Sequence, residues 1–139
     1  MVDLAQQFLQ SERFPPVRHD PRLIPLLPGQ EWEDGAFHLS TCASLHPVPG
    51  LCYRFTDRQT GAVVAITGDT AYSPAIVEHV RGASLLIHEA SYSASPAPQD
   101  NPSQHSGAPE AARVAREAGV RRLFLDTLRP ADGETVVVD

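Results

Sequence analysis

The most constraining feature of this sequence is an apolar, β-branched run that stops abruptly at a glycine and an aspartate. Residues 63–67 read Val-Val-Ala-Ile-Thr, and Gly68-Asp69 follows directly. A second apolar run, residues 83–87, ends in the same manner at His88-Glu89. Short apolar runs bounded by turn residues are typical of buried strands. Each run therefore places ionisable groups at a strand end, and a rigidly held carboxylate that faces solvent suits a metal ion.

Length and charge exclude several classes of protein. A chain of 139 residues can form one domain with a real core but not two ordinary domains. All eleven basic residues are Arg, against seventeen acidic residues, and the net charge is −6. A chain without a basic stripe is not expected to grip nucleic acid alone. Neither a leader peptide nor an apolar run of about 20 residues is present, so we expect a cytoplasmic protein without a membrane partner.

The pattern of proline, glycine and apolar residues predicts two regions. Residues 1–34 read as a Pro-rich connector with a short helix at 4–9, and residues 35–139 as the folded domain. Predicted strands cover 36–45, 51–56, 62–67, 83–87, 120–125 and a short last segment, 135–138. One helix begins after Ser73 and ends at Gly82, and another begins near 107–109 and ends at Gly119. This order predicts an α/β domain whose helices cover one face of the sheet.

Five ionisable residues fall at predicted strand ends or in the loops beside them. A metal ion needs imidazole and carboxylate ligands from several segments, because one short segment cannot surround it. Each residue also has a plain structural interpretation, such as a turn aspartate, a hydrogen-bonded core histidine or an arginine-paired glutamate. Cys42 and Cys52 are predicted to be free thiols that fill space. The five candidates are His46, Asp69, His88, Glu89 and His105.

Residues 46–130 resemble the C-terminal half of a metallo-β-lactamase-fold hydrolase, and they are most similar to its ribonuclease Z branch. The resemblance implies one half of an αββα sandwich, with a mixed sheet and helices on one face. It also implies a zinc ion, or alternatively manganese, and a phosphodiester substrate. The matching motifs are His46, Gly68-Asp69-Thr70, His88-Glu89-Ala90, and His105-Ser106 at the start of an Ala-rich helix.

The resemblance implies a role for each candidate. His46 would ligate one metal ion, and the carboxylate of Asp69 would bridge two. His105, oriented by Glu89, would protonate the departing oxygen of a phosphodiester. His88 belongs to the same segment as Glu89 and is included among the catalytic residues.

The sequence also departs from the family pattern. The ligand box His-x-His-x-Asp-His does not occur, and Thr127 stands where the family has its last histidine ligand. Asp126 could replace that ligand only if the strand end twists. We therefore expect this chain alone to bind metal weakly or not at all, and to be inactive.

A half-sandwich would expose an apolar sheet face, which must be covered by a second copy or by a chain carrying the missing half. Two alternatives to a hydrolase remain open: a degenerate, non-catalytic homodimeric module and a small-molecule binding domain. The chain lacks clusters of basic residues, which weakens the case for RNA as a substrate. Whether the substrate is RNA remains open.

Overall fold

The computed structural model describes residues 23–127 and the backbone of residues 135–136, so the predicted helix at 4–9 lies outside the described part. Two helices are described, α1 (Pro74–His79) and α2 (Ala108–Ala118). Both helices begin and end close to the predicted positions. Within the described residues, no helix has the length and apolar character needed to cross a membrane. The strands are β1 (Glu31–Glu33), β2 (Phe37–Ala43), β3 (Leu51–Asp57), β4 (Val63–Ile66), β5 (Leu85–Glu89), β6 (Leu123–Asp126) and β7 (Thr135–Val136).

The strands form one mixed sheet in the order in which they occur along the chain. Strands β1 to β4 pair antiparallel, β4, β5 and β6 pair parallel, and β7 pairs antiparallel with β6. The two parallel pairings are connected through α1 and α2, as parallel neighbours require. Because β2, β4, β5 and β6 run in one direction, their carboxyl ends meet at one edge of the sheet.

The sheet begins within the segment that was predicted to be connector. Glu31–Glu33 pair with β2, with Trp32 opposite Leu39. Backbone hydrogen bonds from Gly29 N–H to the Thr41 carbonyl and from Thr41 N–H to the Gln30 carbonyl extend this contact. Three residues with a single apolar side chain carry no strand pattern, so the pairing with β2 decides their conformation.

The hydrophobic core lies between the sheet and the two helices. Leu86 and Leu123 of the central strands are fully buried there against Ile76 of α1 and Val114 of α2. Small side chains on α2 allow the helix to pack closely on the sheet, as its alanine pattern predicted. This helix-covered face accounts for the α/β class that the sequence indicated.

The opposite side of the sheet, which we call the open face, is apolar and only partly covered. The strand registers place Phe37, Tyr53, Phe55, Ile66 and Phe124 on it. Phe37 is 44% exposed and Phe124 is 41% exposed. The rings of Tyr53 and Phe55 stack with centroids 6.2 Å apart. An apolar sheet face of this kind is what half of a sandwich leaves uncovered.

Candidate metal and acid–base site

Three of the predicted residues meet at the edge where the parallel strands end. Candidate ligand atoms of His46, Asp69 and His105 all lie within 4.8 Å of one another. The two imidazole rings have centroids 4.9 Å apart and are tilted by 60°. We call these three residues the edge cluster. On the side of His46 and Asp69, the cluster borders a cleft of about 280 Å³ whose lining includes Ser44 and Gly50.

The positions of these side chains follow from the direction of the strands. His46 follows β2, Asp69 follows β4, and His105 lies at the end of the loop that leaves β5 and leads to α2. Gly68 has a φ of 60°, a left-handed conformation that turns the chain at the end of β4. Asp69 is therefore exposed directly beyond a buried strand, as the sequence predicted.

Glu89 joins the segments that carry the edge cluster. Its Oε1 accepts hydrogen bonds from the backbone N–H groups of Thr70 (2.9 Å) and Ser106 (3.1 Å) and from His105 Nδ1 (2.9 Å). Its Oε2 accepts a bond from the Ser91 N–H at 2.9 Å. The side chain is 5% exposed. One buried carboxylate thus connects the turn after β4, the end of β5 and the segment before α2.

These hydrogen bonds also decide the charge of Glu89. Burial by itself would raise the pKa of this carboxyl group, but bonds from Ser91, Thr70 and His105 outweigh burial and lower the pKa below its usual value. Glu89 is therefore a carboxylate near neutral pH. It orients the His105 ring by accepting a hydrogen bond from Nδ1–H, which leaves Nε2 available for chemistry.

His46 is oriented in a comparable way by its own loop. Its Nδ1 lies 3.1 Å from the carbonyl oxygen and 3.2 Å from the backbone nitrogen of Val48, so the backbone of Val48 holds the ring in either tautomer. When Nδ1 carries the proton and donates a hydrogen bond to this carbonyl, Nε2 has a free lone pair. A ring nitrogen fixed by a backbone carbonyl, with the other nitrogen free, is a common arrangement for a metal-binding histidine.

The long segment between β5 and α2 is tied together by an asparagine that the sequence did not single out. Asn101 Nδ2 donates to the His105 carbonyl at 2.8 Å, and Asn101 Oδ1 accepts a bond from the Tyr92 hydroxyl at 3.0 Å. The Tyr92 N–H also donates to the Ser106 carbonyl at 3.1 Å. These contacts hold the backbone of the segment that carries His105. A polar loop offers many such residues, so sequence alone does not select this one.

His88 does not join the edge cluster, although it was predicted to be catalytic. Successive residues of a strand face opposite sides, so His88 points into the helix-covered core while Glu89 faces the other way. The His88 side chain is fully buried, and its Nδ1 contacts the Glu89 carbonyl oxygen at 2.7 Å. Burial lowers the pKa of His88 and favours the neutral ring. We therefore leave His88 out of the proposed machinery.

Asp126 and Thr127 at the end of β6 do not complete the metal group. Asp126 pairs with Glu89 in the strand register and is exposed. Among the described residues, the group at this edge contains neither of them. The structure therefore offers no support for Asp126 as a replacement ligand.

The donor set of the edge cluster fits a metal ion of the zinc type. Two imidazoles and one carboxylate are borderline and hard donors that zinc accepts, and three protein ligands leave a position open. The three residues come from three different segments that meet at the same edge, as a metal site requires. They provide ligands for one ion, and a pair of ions would need further donors.

Comparison with known proteins places this geometry in a family context. No protein-family model matches the sequence. Ribonuclease Z of Myxococcus xanthus is 47% identical over 68 residues, which are 49% of this chain and 22% of that protein. Ribonuclease Z of Brevibacillus brevis is 43% identical over 72 residues, or 52% of this chain and 23% of that protein.

Solved structures agree with the sequence comparison. The metallo-β-lactamase fold protein YhfI from Bacillus subtilis superposes with a TM-score of 0.68 and 27% identity, over 88% of this chain and 47% of that one. The short form of human tRNase Z superposes with a TM-score of 0.61 and 21% identity, over 78% of this chain and 46% of that one. This chain has the metallo-β-lactamase fold and is similar to ribonuclease Z.

The metallo-β-lactamase resemblance that the motifs predicted is thus confirmed. The chain spans less than a quarter of the length of the two ribonuclease Z relatives and about half the length of the two solved structures. The match to about half of each solved structure agrees with the partly uncovered apolar face of the sheet.

Proposed function

We propose that this chain forms part of a metal-dependent phosphodiester hydrolase of the metallo-β-lactamase superfamily, similar to ribonuclease Z. The observation that carries the proposal is the meeting of His46, Asp69 and His105 at one edge, with Glu89 behind the His105 ring. The similarity to two proteins named ribonuclease Z supports this proposal. The proposed substrate is a phosphodiester, the chemical class to which RNA belongs.

Each residue has a defined task in this proposal. His46 and Asp69 hold a zinc or manganese ion, and such an ion, when bound, neutralises charge that develops on a phosphate. Glu89 fixes the His105 ring through Nδ1, which leaves Nε2 free of that bond. Protonated at Nε2, His105 donates a proton to the leaving oxygen. Glu89 acts through His105 and is a positioning residue.

We propose further that catalysis needs an additional set of metal ligands. The sequence has no His-x-His pair, and with His105 as the acid the edge cluster supplies two metal ligands, His46 and Asp69. A chain that carries the missing half, or a second copy of this chain, would cover the open face. This chain by itself would then bind metal weakly and turn over slowly or not at all.

The first test is metal binding by the complete chain. Manganese favours the nitrogen and oxygen donors of the edge cluster over thiolates, so manganese titrations should show weak binding that is lost in Asp69→Ala and in His46→Ala. The matched controls are Asp57→Ala, since Asp57 ends β3 at the opposite edge, and His38→Ala, since His38 pairs with Glu31 far from the cluster. Binding that survives Asp69→Ala and His46→Ala would contradict the assignment.

The second test is hydrolysis of bis-p-nitrophenyl phosphate. The chain should be inactive alone, and an assembly that supplies the other half should be active. In that assembly Asp69→Ala should abolish turnover, and Glu89→Gln should lower kcat more than it raises KM because it misorients His105. Unchanged turnover in Asp69→Ala would rule out the metal-binding role.

The runner-up is a non-catalytic homodimeric module of the same fold. The feature that favours it is Thr127, which stands where the family has a histidine ligand. Size measurement in solution separates the two proposals. A stable dimer that binds no metal would favour the module, whereas a monomer that associates with a second chain would favour the hydrolase.

A further inference from the structure

A second group of metal-competent side chains lies on the helix-covered side of the sheet. Cys42 of β2 and Cys52 of β3 face each other in the strand register, and His79 ends α1 beside them. The two sulfur atoms and a ring nitrogen of His79 all lie within 4.8 Å of one another. We call these residues the face cluster. The sequence predicted the two thiols only as space-filling groups.

The His79 ring has a buried nitrogen without a partner. Nε2 is inaccessible to solvent and makes no hydrogen bond. Burial lowers the pKa of the ring, and an interaction with the backbone of Ser40 opposes this. Buried polar atoms are nearly always satisfied, so an unpaired one needs an explanation. A metal ion bound beside the two sulfur atoms would provide one, since a neutral imidazole nitrogen is a common metal ligand.

One of the two thiols is buried and the other is half-buried. Cys52 is fully buried, and a hydrogen bond between the thiols raises the pKa of Cys52 while it lowers that of Cys42. Arg54 donates to the carbonyls of His79 (3.2 Å) and Arg81 (3.0 Å) and so fixes the end of α1. The thiolate is the form that binds metal, and a bound ion itself favours that form.

We propose that Cys42, Cys52 and His79 bind a zinc ion at a site separate from the edge cluster. Thiolate and imidazole are ligands that select zinc or monovalent copper. Two thiolates neutralise a divalent ion, whereas a monovalent ion would leave a net charge in the core, where charge is costly. Binding converts two S–H groups into two S–Zn bonds and releases both protons to solvent.

The consequence for the fold is a link between two strands and a helix. The ion would connect β2 and β3 to the end of α1, independently of any metal at the edge cluster. The two sites also differ in donor chemistry, because the edge cluster contains no sulfur. A metal probe that reports on sulfur ligands therefore separates this proposal from the proposed hydrolase.

The experiment uses cobalt(II) as the probe, added to the complete chain after reduction and removal of metals. Thiolate-to-cobalt charge transfer gives an absorption band that imidazole and carboxylate ligands do not produce. We expect one equivalent of cobalt to produce this band and one equivalent of zinc to displace it. Cys42→Ala should abolish the band, and His79→Gln should weaken cobalt binding about tenfold or more.

Matched variants locate the ion. His38→Gln, on the same face of β2 but outside the cluster, should leave the band unchanged, and so should Asp69→Ala at the edge cluster. A reduced, folded chain without a thiolate band would overturn the proposal. So would a band that survives Cys42→Ala, or a folded His79→Gln chain with unchanged affinity. Complete disulfide formation in the isolated chain, with no cobalt band after reduction, would assign the cysteines to a bridge instead.

Discussion

The edge cluster and the face cluster lie on one sheet, but the chain builds them in opposite ways. The edge cluster comes from loops beyond the strand ends, and its geometry depends on hydrogen bonds that converge on Glu89. The face cluster comes from regular positions of β2, β3 and α1, and its geometry depends on strand register and helix packing. Loss of one buried carboxylate should therefore disrupt the edge cluster and leave the face cluster intact.

Removing the Glu89 carboxylate should have the largest effect. In Glu89→Ala, three backbone N–H groups and the Nδ1–H of His105 lose their acceptor in a buried place. We expect the free energy of unfolding to fall by roughly 3–5 kcal/mol, as measured by urea denaturation. The folded fraction should lose metal binding at the edge cluster and keep the cobalt band of the face cluster.

The control for this variant is Asp126→Ala. Asp126 is the exposed cross-strand neighbour of Glu89 and should matter little to stability. An equal loss of stability in both variants would mean that the hydrogen bonds to Glu89 do not organise the edge.

Filling the space at Gly107 should have the next largest effect. A Cβ atom added there would lie 1.8 Å from the carbonyl oxygen of Ser95, so backbone must move. Gly107→Ala should lower the free energy of unfolding by about 1–3 kcal/mol and displace His105, two residues away. Gly35→Ala is the matched control because an added Cβ there meets nothing within 4 Å. Intact metal binding at the edge cluster in Gly107→Ala would show that the edge tolerates movement of this loop.

Acid should lower the stability of the folded chain by protonating Glu89. Its pKa is lowered in the folded state from the usual 4.5, so the stabilisation is present above pH 4.5 and is lost as the pH falls through the folded-state pKa. Urea unfolding at decreasing pH should therefore show that the free energy of unfolding falls more steeply in the wild-type chain than in Glu89→Gln. Identical pH profiles would show that Glu89 does not titrate differently in the folded and unfolded chains.

The smallest effect should come from Cys42→Ala in the absence of metal. Cys42 is half-buried, so we expect a change within about 1 kcal/mol in the presence of a chelator. Added zinc should then raise the thermal midpoint of the wild-type chain and not that of the variant, because the ion binds the folded state. If Cys42→Ala greatly lowered the free energy of unfolding with chelator present, Cys42 would stabilise the chain by packing alone.

Much of the fold could be predicted from local patterns. The apolar runs that end at Gly68 and at His88-Glu89 are strands, and Pro74 and Gly119 mark the start of α1 and the end of α2. β1 could not be predicted, since its conformation comes from pairing with β2 rather than from its own residues. Strand alternation predicts that His88 and Glu89 face opposite sides of the sheet, because they are adjacent in one strand, but it does not say which of them faces the site.

The two candidate sites differed in how far sequence could reach them. His46, Asp69, Glu89 and His105 stand at strand ends or in the loops beside them, so their meeting followed from parallel strands that share an edge. The face cluster could not be predicted in the same way. Its members are spread over three elements. Nothing in their sequence spacing indicates that β2 and β3 bring Cys42 opposite Cys52.

By itself the sequence determined the class of the fold, the ends of the central strands and the resemblance to ribonuclease Z, because these depend on local composition and on short motifs. Tertiary structure alone decided that Glu89 faces the site while His88 enters the core. It also decided that β1 joins the sheet and that two cysteines and a histidine meet beneath α1. These features depend on strand register and on the direction of side chains across a sheet, which arise only when distant segments pair.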